Sequence, residues 1–121
     1  MEKSLEIQVG GAHYKSMKMQ PVELIVKCNL DFFQGNFVKY ISRYKNKNGR
    51  EDLEKCLHYI QLRKELIGCK CTRCVAKHIK LYCNKNEFSE IVAQAIFHMV
   101  LADYDKAEEF VKQIIEEEYG R

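Results

Sequence analysis

Helix breakers are scarce in this chain. Its 121 residues hold one proline, Pro21, and six glycines, while Lys, Glu, Leu and Ile are plentiful, a balance that favours long helices. No stretch approaches the roughly 18 apolar residues of a membrane span, so no membrane association is expected. The N-terminal stretch lacks the apolar core of a secretory signal, which points to a cytoplasmic protein. Six cysteines in a reducing compartment then read as free thiols or metal ligands, not as a disulfide framework. No repeat of solenoid length is present. The pattern G-x-x-x-x-G-K-[ST] is missing too, which excludes a conventional Walker phosphate loop.

What is present describes an ordinary globular chain. Hydrophobic residues make 46% and charged residues 31%, enough apolar material for a core and too little net charge for disorder. The length suits one domain that folds without covalent staples. The net charge of +3 is mild and does not by itself indicate nucleic acid, which is allowed but not favoured as a partner. The charge is uneven, however. Lys39, Arg43, Lys45, Lys47 and Arg50 fall in a stretch without an acid, whereas residues 108–118 carry five Glu and one Lys. A basic centre and an acidic end suggest a small anionic partner or self-association into a homo-oligomer; two solvated faces are the plainer alternative.

Hydrophobic spacing predicts an all-α fold of four to six helices. Pro21 suits a first helical turn, and a short helix runs to about Cys28. Asp31 with Gln34 three residues on forms a capping-box pattern that opens a helix to about Lys47. Phe33, Phe37, Ile41 and Tyr44 fall on its inner face. Asn48-Gly49 ends it, and a second helix spans roughly Arg50 to Ile67, with Leu53, Cys56, Leu57, Ile60 and Ile67 inward. The short link makes these two a central antiparallel hairpin. Phe88, Ile91, Val92, Ala95, Ile96, Met99 and Val100 mark a later amphipathic helix, and Asp103 caps a last one through Tyr119. Leu5 to Val9 alternates weakly, as a short extended piece would.

The polar faces of the central hairpin carry the functional signal. At about 100° per residue, Asn36, Tyr40, Arg43 and Lys47 lie within about 40° of one line, with Lys39 beside them. On the following helix Asp52, Lys55, Tyr59 and Arg63 form a second row, and His58 stands at its border. Two such rows flanking one groove would suit a nucleotide. Arg and Lys supply phosphate donors, Tyr14, Tyr40 and Tyr59 offer stacking faces, and Asn36 can read a base or ribose edge. A charged outer surface without a ligand is the alternative.

These residues also carry a resemblance. Val9-Gly10-Gly11-Ala12-His13-Tyr14-Lys15, Met19-Gln20-Pro21-Val22-Glu23, Gly35-Asn36 with Lys39-Tyr40 and Arg43, and Asp52-Leu53 with Lys55 and His58-Tyr59 stand in one order. Together they resemble the SaV-like phage family over about residues 9–67. The resemblance implies a SaV-like nucleotide kinase-related domain at residues 1–67. Residues 68–121 then form a C-terminal Cys-rich segment and helical hairpin. One branch of that family, similar to the nucleotide kinase of a T7-like phage, phosphorylates deoxynucleoside monophosphates without a P-loop. Carried over, this implies nucleotide binding by Tyr14, Asn36, Lys39, Tyr40, Arg43, Lys47 and Tyr59. His13, Asp52 and His58 become candidates for catalysis, Mg²⁺ would arrive with the nucleotide, and the host cytoplasm would be the setting. A non-catalytic binder of a nucleotide or signalling nucleotide, or a module engaging a host factor, are the rival expectations.

A second cluster stands apart. Cys69, Cys71, Cys74, His78 and Cys83 fall within fifteen residues, and from Cys71 the spacing is one residue short of a zinc knuckle. Close N/S ligands suit Zn²⁺. Against this, the knuckle glycines are missing, and Val75, Ile79 and Tyr82 fit a helix on which the ligands would not converge. Small buried thiols are the alternative.

Overall fold

The fold is helical throughout the part of the chain that the computed structural model describes, residues 17–72 and 76–120. Six α-helices follow one another: α1 (Pro21–Cys28), α2 (Phe32–Arg43), α3 (Arg50–Leu66), α4 (Ala76–Lys85), α5 (Glu90–Val100) and α6 (Tyr104–Tyr119). No strand occurs among the described residues. The alternating Leu5–Val9 stretch lies outside them.

Local chemistry places the helix ends. Pro21 occupies the first turn of α1, where a missing N–H costs nothing, and the Glu23 carboxylate accepts from the Gln20 N–H at 2.7 Å. Asp31 caps α2: its Oδ1 accepts from Gln34 N–H at 2.8 Å, and the Gln34 amide oxygen accepts from Asp31 N–H at 3.2 Å. Ser89 and Asp103 cap α5 and α6 through the same kind of side-chain oxygen.

α2 stops at Arg43, earlier than the expected Lys47, because Tyr44–Asn46 tighten into a 3₁₀ turn. Gly49 then takes φ +55° to start α3, and a Cβ there would lie 3.3 Å from the Tyr119 hydroxyl. The hairpin is antiparallel, since contacts advance along α2 while retreating along α3. Asp31 meets Arg63, the Phe37 carbonyl meets the Cys56 thiol at 3.7 Å, and Arg43 meets Asp52.

A second hairpin, α5–α6, packs under the first. α3 lies on α6, α2 on α5, and α4 bridges α1 and α5. Leu24, Phe37, Ile41, Leu53, Tyr82, Ile96, Met99, Val111 and Ile114 form one buried cluster drawn from every helix. That cluster draws on residues from both sides of residue 67, which itself lies in the connection after α3. Ile67, expected inward, is 41% exposed, because α3 ends at Leu66.

Candidate functional site

Asp52 and Arg63, both expected on an outward polar row, are 0% and 3% exposed. α3 packs against α2 on one side and α6 on another, so its inward arc is wider than its apolar stripe. Both charges are matched. Asp52 accepts from Arg43 Nε at 3.2 Å and Nη2 at 3.3 Å, and from the Asn48 N–H at 3.2 Å. Arg63 donates from Nε to Asp31 at 2.7 Å and from Nη1 to the Tyr104 hydroxyl at 2.8 Å. Asp52 is therefore a clamp inside the hairpin, not a carboxylate facing a ligand. Arg43 keeps 14% of its side chain exposed, with its guanidinium tied to that clamp.

The expected rows survive in the middle of the hairpin. Tyr40 and Tyr59 stack with ring centres 6.0 Å apart and planes 17° from parallel, and Phe32 meets Tyr59 edge-on at 6.0 Å. Three cations surround the Tyr40 ring: Lys39 Nζ at 4.6 Å, the Arg43 guanidinium at 4.7 Å and Lys55 Nζ at 5.0 Å. Each contact places a cation on the negative face of a π-system. Lys55 also pairs with Glu51 at 3.4 Å, while Lys39 forms no salt bridge among the described residues. Phe32 is 67% exposed, an aromatic that hydrophobicity alone assigns to the core.

Beside this cluster a groove of about 350 Å³ runs between α1 and α2. Pro21, Val22, Ile25, Leu30 and Phe32 give it apolar walls, and Gln20, Asp31, Asn36 and Lys39 line it with polar groups. Gly35 lets α1 approach α2, since a Cβ there would sit 3.2 Å from Ile25 Cδ1. Asn36 donates from Nδ2 to the Phe32 carbonyl at 2.8 Å, and its amide oxygen accepts no hydrogen bond from the described residues. Lys39 belongs to both features: it lines the groove and stands over Tyr40.

The remaining expected residues lie elsewhere. Lys47 is exposed beyond the end of α2, off the line of Asn36 and Tyr40 because the 3₁₀ turn changes the helical phase. His58 is exposed, its ring 6.1 Å from that of Tyr59. His13 and Tyr14 fall outside the described residues. The acidic end of α6 meets the basic turn within the same chain. The Tyr44 hydroxyl donates to Glu118 at 2.8 Å, and Arg50 Nη1 lies 3.4 Å from the Tyr119 carbonyl. Burial first, then the Glu118 carboxylate, raises the Tyr44 phenol above its usual range.

Among the described residues no three His, Cys, Asp or Glu side chains come together to hold a metal. Cys69, Cys71, His78 and Cys83 are thus not assembled as the Zn²⁺ set; Cys74 lies outside the described residues. Cys69 and Cys71 are exposed in the α3–α4 connection, whereas Cys83 is buried on α4 and burial pushes its thiol up to about 12. A neutral, buried thiol suits the core better than a metal. Sequence reasoning missed Lys55, Gln20 and Phe32 as site residues. Lys55 was visible in the second row, but the α1–α2 groove has no sequence signal, being made by two helices meeting across Gly35.

A family model described as a protein of unknown function (DUF3310) matches residues 9–61. The match spans α1, α2 and most of α3, and so takes in both the groove and the tyrosine–cation cluster. No curated protein and no solved structure matches the chain.

Proposed function

We propose that this chain binds a nucleotide across the α1–α2 groove and the outer face of the hairpin. The observation that carries the reading is the position of Lys39, which joins an apolar groove to a cluster of three cations around Tyr40. A nucleotide has the matching halves: a flat base for Phe32, Val22 and Ile25, and phosphates for Lys39 and Lys55. The open amide oxygen of Asn36 faces a donor on base or sugar. Stacking in this reading uses Phe32, because the Tyr40 and Tyr59 faces already meet each other.

Phosphoryl transfer to deoxynucleoside monophosphates, which the SaV-like resemblance implies, is the further step in this reading. It needs positioning and charge neutralisation above all, with Mg²⁺ carried by the phosphates. Asp52 is committed to Arg43, so His58 is the described proton carrier nearest the cluster in sequence. The geometry supports binding more directly than turnover.

Calorimetry with dTMP and dGMP tests the binding, and diphosphate formation from each with a nucleoside triphosphate tests the transfer. Binding that weakens at least about tenfold in Lys39→Ala is expected, the loss of one charge-assisted contact. No heat with any nucleotide, or full affinity in Lys39→Ala, overturns the site. Binding without diphosphate leaves a nucleotide sensor in place of a kinase.

A further inference from the structure

Asp31 borders two cavities, and the second is independent of the nucleotide reading. It has a volume of about 520 Å³ and lies between the α1–α2 turn, the end of α3 and the chain from Lys70 to Thr72. Cavities of roughly 300–1,000 Å³ hold small molecules. Its wall includes two polar side chains the fold buries almost completely, Gln34 at 0% and Arg63 at 3% exposure.

Gln34 is spent on the protein. Its Nε2 donates to the Val100 carbonyl at 3.2 Å, and its Oε1 accepts from the Thr72 hydroxyl at 2.7 Å and from Asp31 N–H. Arg63 is not. A guanidinium commonly grips a carboxylate with two parallel N–H groups. Here the second oxygen of Asp31 caps α2, so Asp31 takes only Nε, and Tyr104 takes Nη1. Nη2 has no partner among the described residues. It is not sealed in the core either: the one buried side-chain nitrogen or oxygen without a hydrogen bond among them is His98 Nδ1, which lies 3.2 Å from Asp103 Oδ2. Lys70 adds an ammonium at the rim. Two cations against one carboxylate leave one positive charge for a guest.

We propose that this cavity is a second binding site, for a small molecule bearing one carboxylate or phosphate, which Arg63 Nη2 and Lys70 hold. Cys71 lines the same cavity, whereas Cys69, also exposed, does not. Occupancy therefore has a built-in reporter.

The test uses the full chain, titrated by NMR with sodium phosphate and with sodium acetate, each against sodium chloride at equal ionic strength. Saturable shifts of the Arg63 side chain and the Thr72 amide are expected with an oxyanion and not with chloride, together with slower alkylation of Cys71 relative to Cys69. A response to phosphate alone assigns a phosphate-bearing guest; a response to acetate alone assigns a carboxylate. Lys70→Glu, a surface change that leaves the Asp31–Arg63 pair intact, should weaken the response at least about tenfold, and Lys39→Ala should not alter it. Equal shifts with chloride, which mean an adventitious ion only, overturn the proposal. So do an absent response to both oxyanions and an unchanged affinity in Lys70→Glu.

Discussion

The two ends of the α2–α3 hairpin are locked, and its middle is open. At the turn, Arg43 grips Asp52, Tyr44 reaches Glu118, and Gly49 lies against Tyr119. At the other end Arg63 ties Asp31 to Tyr104. Between them Lys39, Tyr40, Lys55 and Tyr59 mainly touch one another and solvent. Arginine locks the ends, with Arg43 also reaching the Tyr40 ring, and the two lysines serve the middle. A guanidinium can satisfy two acceptors in different helices while buried, whereas an ammonium is held at the surface by its hydration. Charge on this hairpin is thus divided between side chains that tie helices together and side chains that mainly meet solvent.

The largest expected effect breaks the locked end. Asp52→Ala should cost about 3–5 kcal/mol, because it removes the buried carboxylate that the Arg43 guanidinium and the Asn48 N–H share. Denaturant unfolding measures it, and a loss under about 1 kcal/mol would make the two ends no different from the middle. Gly49→Ala should cost about 1–3 kcal/mol, since an alanine must hold φ +55° against the Tyr119 ring. Adding Tyr119→Ala should recover only the part due to contact, leaving the backbone strain.

A pH series gives a smaller effect. The folded Cys83 thiol is pushed from 9.0 up to about 12, so between those values the folded chain keeps a proton that the unfolded chain releases. Stability is then complete below about pH 9 and falls as pH rises towards 12. Cys56 and Tyr44 shift in the same direction and steepen the fall. Melting temperature against pH should decline above about pH 9, less so in Cys83→Ala relative to its own neutral value; a flat profile would mean these groups are not held neutral. The smallest change belongs to the open middle. Lys39→Ala should alter stability by no more than about 0.5 kcal/mol, and a loss above 1.5 kcal/mol by the same unfolding measurement would move it from the surface to the scaffold.

Much of the helical layout was legible in advance because its causes are local. Pro21, the Asp31–Gln34 box and Asp103 act within three residues of themselves, and the apolar spacing of α5 needs no partner to be read. The site was legible in part: Lys39, Tyr40 and Tyr59 do stand together on the outer face. Arg43 and Asp52 were read as ligand groups because helical phase says which residues share a face, not which face is covered. Lys47 left its row through a 3₁₀ turn that no composition rule marks.

Sequence alone determined that the chain forms amphipathic helices joined at Asn48-Gly49 and near Asp103, since propensity, capping and periodicity are properties of neighbouring residues. Only the tertiary structure decided which charges are hidden and where the cavities lie. Asp31 and Arg63 are 32 residues apart, and Tyr44 and Glu118 are 74 apart. The packing of α3 between α2 and α6 widens its buried arc beyond its apolar stripe, so a charge there stays inside only where another helix brings its partner.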